Sequence, residues 1–161
     1  MAVSGGGDAG EDASRLAEEV GRQLARRGAV VVTGGLGGAM EAACRGAKAE
    51  GGTTVGILPG HDRADANEWV DVAVPTGLGE ARNAIVVRAA DAVIAVAGEF
   101  GTLSEIALAL KTGTPVVGLQ TWELARAGGP VPAIVVATTP AEAAERAVAL
   151  AMERRAPPRG S

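Results

Sequence analysis

The sequence predicts a single α/β domain, a Rossmann-like doubly wound sheet of about seven mainly parallel strands with helices on both faces. Three observations carry this prediction. Short β-branched runs recur without polar alternation, as in strands covered on both sides. Alanine-rich segments with helical periodicity separate them. Glycine closes a helix just before the next strand at Arg27-Gly28, Glu50-Gly51-Gly52 and Thr112-Gly113, where a left-handed residue turns the chain back. Repeated helix–glycine–strand units imply parallel crossovers.

The first strand covers residues 2–4, and a helix over 12–27 follows with Leu16, Val20 and Leu24 on one stripe. The second strand, 29–33, leads through glycines into a helix over 38–50 that aligns Met40, Ala43, Cys44 and Ala47. Strands three and four lie at 53–58 and 70–74. A helix over 79–89 precedes strand five at 92–96. The next helix, 101–112, presents Leu103, Ile106, Ala107 and Leu110 on one face before strand six at 115–119. Strand seven at 133–137 and a helix over 141–152, using Ala144, Val148 and Ala151, complete a domain of residues 1–152. Residues 153–161, with Pro157, Pro158 and Arg159, form a flexible tail.

Composition bounds the function. A chain of 161 residues suits one domain, which buries roughly 70% of its unfolded surface. Hydrophobic residues make up 47% but aromatics only 2%, namely Trp69, Phe100 and Trp122, so the core is built from Ala, Val, Leu and Ile. The net charge of −4 and the scarcity of aromatics argue against nucleic acid as a partner. Cys44 is the sole cysteine and His61 the sole histidine, which leaves no disulfide and no expected metal cluster. There is no basic-then-apolar leader and no run of roughly 18 apolar residues. No membrane partner is therefore expected, and the chain reads as a soluble cytoplasmic protein.

In an open parallel sheet, ligands bind beyond the carboxyl ends of the strands. Those ends carry the glycines. Strand one runs into Gly5-Gly6-Gly7-Asp8-Ala9-Gly10, strand two into Gly34-Gly35-Leu36-Gly37-Gly38-Ala39-Met40, and strand five into Gly98-Glu99-Phe100-Gly101-Thr102. Each loop enters a helix and can aim amides and the positive end of a helix dipole at one anion. Gly6, Gly34, Gly35, Gly37, Gly38, Met40, Gly98, Phe100, Gly101 and Thr102 are thus candidate contacts to a phosphate-bearing ligand. Gly5-x-Gly7-x-x-Gly10 matches the dinucleotide fingerprint, but strand two ends in Thr33-Gly34-Gly35 and lacks the acidic residue that would bond a ribose. No Gly-Lys-Ser/Thr follows any glycine loop, which removes the P-loop reading.

Two further stretches carry chemistry. Arg82 opens the third helix after Thr76-Gly77-Leu78-Gly79, a poor place for a cation against the helix dipole, so it calls for an anionic partner: a ligand, Glu80 or another carboxylate. Glu105 stands one turn past Gly101-Thr102, either as a cap on its own helix or as a carboxylate for a ribose or for catalysis. His61 belongs to a solvated loop and Cys44 to the core, and Asp91 starts its strand or caps the preceding helix.

Taken together, Val31 to Ala42, Gly56-Ile57-Leu58-Pro59-Gly60, Thr76 to Asn83 and Gly98 to Ala107 resemble, in order and spacing, the molybdenum-cofactor carrier branch of the "Lonely guy" (LOG) phosphoribohydrolase superfamily. Members of that superfamily were often labelled possible lysine decarboxylases. The resemblance implies a Rossmann-like fold, a phosphate site at the glycine loops, and roles for Thr76, Arg82, Asn83 and Glu105. The LOG enzymes carry Pro-Gly-Gly-x-Gly-Thr-x-x-Glu and an Arg-Lys pair. This chain has Ala97, Glu99 and Asn83 at the differing places, and Arg-Asn is what the carrier-like branch shows. A pyridoxal-phosphate decarboxylase needs a lysine in the site, but Lys48 and Lys111 both fall near helix C-termini, away from the glycine loops.

The expectation is a carrier for a phosphorylated small molecule, a pterin such as the molybdenum cofactor or a related nucleotide. The cofactor would be cargo, with no other cofactor required. The alternatives are a nucleoside 5′-monophosphate phosphoribohydrolase, with Arg82 and Glu105 catalytic, and a nucleotide sensor without turnover. The resemblance also implies a homodimer or homotetramer.

Overall fold

The computed structural model describes residues 1–156. In chain order its elements are β1 (Ala2–Ser4), α1 (Glu11–Arg26), β2 (Val31–Thr33), α2 (Ala39–Ala49), β3 (Thr54–Leu58), β4 (Val72–Pro75), α3 (Asn83–Arg88), β5 (Val93–Val96), α4 (Phe100–Lys111), β6 (Val116–Leu119), the small hairpin strands β7 (Ala125–Arg126) and β8 (Gly129–Pro130), β9 (Val135–Ala137) and α5 (Pro140–Arg155). Seven strands form one sheet in the order β4-β3-β2-β1-β5-β6-β9, with every pairing parallel. The expected doubly wound α/β architecture is what the chain adopts.

The inner strands bury both faces because their side chains point alternately to two helical layers, whereas the edge strands β4 and β9 leave Val72, Val74 and Val136 exposed. In β5, Ile94 and Val96 meet the core of α1, α2 and α5, whereas Val93 and Ala95 meet α3 and α4. Val20 and Leu24 of α1, Ala43 and Ala47 of α2, and Ala143, Ala144, Ala147 and Ala151 of α5 fill the first layer. Val86 and Val87 of α3 with Ile106 and Ala109 of α4 fill the second. Small residues let α1 and α2 cross closely. A methyl added at Gly21 would meet the Ala43 carbonyl, and one at Gly46 would meet that of Glu18.

Some boundaries differ from the expected ones, each for a local reason. β4 begins two residues late because side chains replace the ladder before it: Asp71 N donates to Thr54 Oγ1 (2.9 Å) and Thr54 Oγ1 to the Trp69 carbonyl (2.6 Å). The helix expected over 79–89 is split into a 3₁₀ turn, Gly79–Arg82, and α3. Gly77 and Gly79 both have positive φ there, and their amides bond back to the Gly60 and Pro59 carbonyls. The last helix runs on through Arg155, whose guanidinium forms a two-pronged pair with Asp91 (2.9 and 2.6 Å). Asp91 is thus an ion-pair partner of α5, neither the first residue of β5 nor a cap on α3. Of the expected tail, residues 157–161 lie outside the described residues. Among the described residues, no helix is long and apolar enough to cross a membrane.

This topology sets the place of a site. The chain winds from central β1 outward to β4, returns through α3, and winds the other way from β5. The neighbours β1 and β5 therefore send their helices to opposite faces, and a crevice opens beyond their carboxyl ends.

Candidate functional site

A cleft of about 930 Å³ occupies that crevice. Its walls come from Ser4 to Gly7 after β1, from Gly34, Leu36 and Met40 around the β2–α2 loop, from Pro59, from Gly79 to Ala84, and from one side of α4. The glycines make this possible by close backbone approach. A side chain at Gly34 would collide with the Arg82 guanidinium and stand 2.6 Å from Met40 Sδ. Gly38, at φ +64°, lies against the carbonyls of Gly6 and Gly7, and the next amide, Ala39 N, donates to Gly6 O at 3.0 Å.

Three elements meet at the floor. Ser4, the last residue of β1, donates its hydroxyl to Glu105 Oε2 on α4. Arg82, at the end of the 3₁₀ turn, places Nη1 3.7 Å from Glu105 Oε1 and donates it to Asn83 Oδ1. Arg82 is 8% exposed and Glu105 7%. Burial pushes the Glu105 carboxyl above its ordinary range, with the Ser4 hydroxyl and Arg82 pulling it back less strongly. Burial likewise pulls the Arg82 guanidinium below its ordinary value, opposed by Glu105. The two charges are near but not in contact, and Arg82 Nε is buried with no hydrogen-bond partner. A buried guanidinium with an unused donor is a ready partner for an anion.

The wall beside it is equally rich in free donors. The first turn of α4 has no side-chain cap, so its leading amides point outward as an anion site does. Thr102 Oγ1, in that turn, is buried and has no partner. Asn83 Nδ2 donates to Ser104 Oγ (3.1 Å), and Ser104 Oγ donates to the Gly101 carbonyl (2.7 Å), which ties α3 to α4 across the cleft.

Of the residues expected from the sequence, Gly6, Gly34, Met40, Arg82, Asn83, Phe100, Gly101, Thr102 and Glu105 line this cleft. Gly35, Gly37, Gly38, Thr76 and Gly98 do not. Gly35 is folded against Gly56, Gly38 against the β1–α1 loop, and Gly98 (φ +103°) against Thr102. Thr76 spends its hydroxyl on the Leu58 carbonyl at 2.7 Å. Arg82 faces Glu105, not Glu80, and Glu105 reaches across to β1 instead of capping α4. Sequence reasoning missed Ser4. The signal was present, a polar residue ending the first strand just where the winding reverses. Lys48 Nζ lies 2.7 Å from Asp71 Oδ1 and Lys111 ends α4, both at the far edge of the sheet.

The β5–α4 loop also has its own path. Ala97 has φ +46°, and its amide donates to the Leu119 carbonyl at 3.1 Å. The resembling hydrolases carry proline at this place, which can adopt neither feature.

The model of the SLOG cluster4 family matches residues 1–150. The molybdenum cofactor binding protein of the phototrophic bacterium Rippkaea orientalis has a similar structure, with TM-score 0.83 and 35% identity over 92% of this chain and 94% of that one. The molybdenum cofactor carrier protein of Chlamydomonas reinhardtii is also similar, with TM-score 0.82 and 38% identity over 92% and 95%. An uncharacterised protein of Archaeoglobus fulgidus is 45% identical over 120 residues, 74% of this chain and 79% of its own.

Proposed function

The chain belongs to the SLOG cluster4 family, and from that premise we propose that it binds and carries a phosphorylated pterin, the molybdenum cofactor or a close relative. One observation carries the reading: Arg82 is buried in the cleft with Nε unpartnered, beside the uncapped first turn of α4. Charge and dipole there favour a phosphate. The amides of Gly101 and Thr102 and the open backbone at Gly6 and Gly34 would hold it, with Arg82 neutralising its charge. Asn83, Ser104 and Glu105 would meet the polar edge of the ligand. The cleft volume lies within the range of small-molecule sites, about 300–1,000 Å³. The two structurally similar proteins named for the molybdenum cofactor support the choice of cargo.

The test is equilibrium binding of molybdenum cofactor, read by pterin fluorescence after oxidation. Wild-type protein binds, and Arg82→Gln loses about tenfold or more, the scale of one buried charge-assisted hydrogen bond. Wild-type protein that fails to retain cofactor would refute the carrier reading.

One observation favours a second reading, hydrolysis of a nucleoside 5′-monophosphate. Glu105 is a cleft carboxyl with raised proton affinity, the property of a general acid or base. Against it stand Ala97, with a backbone that proline could not follow, and Asn83 in place of lysine. Release of free adenine from AMP, abolished in Glu105→Gln, would favour the enzyme over the carrier.

A further inference from the structure

The chain has three aromatic residues, and two of them meet at the rim of the cleft. Phe100 is the first residue of α4 and lines the cleft, yet it is 76% exposed. Its ring packs on Trp122, with centroids 5.6 Å apart and planes tilted by 41°. Trp122 is half-buried against the α3–α4 side of the core, and its indole Nε1 has no partner. The loop that carries it is held to the cleft wall, because Thr121 Oγ1 donates to the Ala97 carbonyl. The Phe100 ring therefore leans at a tilt on an indole that the fold holds in place, and most of its surface is open.

A phenylalanine so exposed adds nothing to the core, and ligand contact is the role its position fits. Side chains of a helix lean towards its N-terminus. The Phe100 ring accordingly extends past the helix end, beside the place where the first-turn amides would hold an anion. A ligand anchored there by its phosphate has its ring within reach of this surface. We propose that Phe100, backed by Trp122, is a stacking platform for the planar ring of the ligand, so that this rim favours a ligand with an aromatic ring while the glycine loops and Arg82 hold only the phosphate. The inference rests on the reading that the cleft binds a phosphorylated pterin. Aromatic stacking of this kind is tolerant of ring identity but demands a π-face.

Two probes separate ring from phosphate: neopterin monophosphate, and ribose 5-phosphate, which has no aromatic ring. In wild-type protein, neopterin monophosphate quenches tryptophan emission, and Trp122→Phe, which leaves Trp69, removes the quench. Phe100→Ala weakens neopterin monophosphate about tenfold, the scale of one stacked ring, and leaves ribose 5-phosphate unchanged, while Phe100→Tyr keeps wild-type affinity for both. Undiminished pterin affinity in Phe100→Ala overturns the platform and leaves the carrier reading standing. Equal loss of both probes also overturns it, because Phe100 would then be supporting the phosphate cradle. If wild-type protein binds neither probe, the carrier reading falls and the platform with it. A change of molecular mass by light scattering in Phe100→Ala overturns the platform in favour of a contact between copies of the chain.

Discussion

Glu105 carries opposing influences that give it a pH signature. Burial dominates and raises its proton affinity, so the folded chain keeps a proton that the unfolded chain releases near the ordinary value of about 4.3. The stability linked to this group is full below that value and is lost as pH rises through the folded one. Glu18 and Asp71 have the opposite sign: Arg45 and Lys48 respectively hold their carboxyls low, so their contribution is lost as the pH falls. Glu105→Gln should therefore flatten the fall in Tm as pH rises above the ordinary carboxyl range and leave the acid limb in place, as read by scanning calorimetry. An unaltered slope above the ordinary carboxyl range would show that Glu105 is not the buried acid described. Ala97 supplies a second residue test. Relief of its positive φ makes Ala97→Gly neutral or stabilising by about 1 kcal/mol. Ala97→Pro loses both the backbone angle and the bond to Leu119, a cost of about 3 kcal/mol. Urea unfolding distinguishes the two, and a stable proline variant would mean that the β5–α4 loop takes another path.

Among the elements, the α1–α2 crossing inverts an ordinary rule. Alanine for glycine inside an exposed helix gains about 1 kcal/mol. At Gly46 the added methyl would stand 2.7 Å from the Glu18 carbonyl carbon, and at Gly21 2.9 Å from that of Ala43. The helices must then separate, and overpacking of this kind costs about 1–3 kcal/mol. Gly46→Ala should lower the urea midpoint, and a rise would place α1 and α2 further apart than described. The crossing bears on the site, because α2 starts at Ala39, whose amide is bonded to Gly6. Forcing α2 away would loosen the β1–α1 loop at the cleft floor.

For the molecule as a whole, charge and burial oppose each other. The chain carries a net charge of −4, and Glu80 and Glu99 are exposed at the mouth of the cleft, whereas the cation inside it, Arg82, is buried. On the proposed function, an incoming phosphorylated ligand would meet repulsion first and attraction second. Added salt screens the exposed charges over a Debye length of about 10 Å at 0.1 M, but acts less on a buried one. The association rate of an anionic ligand should therefore rise modestly with ionic strength, the reverse of ordinary steering, as measured by stopped-flow fluorescence. A steep fall would mean that an exposed cation guides the ligand. Binding only the folded state, ligand at 100 times its Kd should add about 2.7 kcal/mol to stability, seen as a raised Tm that Arg82→Gln diminishes.

Much of this architecture was legible in the residues. Unbroken runs such as Val93–Val96 announced strands covered on both sides, and glycine after three of the helices, at Gly28, Gly51 and Gly113, announced parallel crossovers. The runs Gly34–Gly38 and Gly98–Thr102 announced loops at one rim. These signals are local, because periodicity and turn chemistry act over a few residues. The hairpin of β7 and β8 left only a weak one, Gly128-Gly129-Pro130. Arg82 and Glu105 were recognisable as unusual but not as neighbours, and Ser4, 101 residues from the Glu105 it bonds, was not recognisable at all. Which glycines face the cleft and which, like Gly38, pack behind its wall was equally beyond reach. Those matters depend on strand order, which sets β1 beside β5 and brings residues distant in the chain to one crevice. Local composition encodes what each segment is, and only the completed sheet decides what it stands next to.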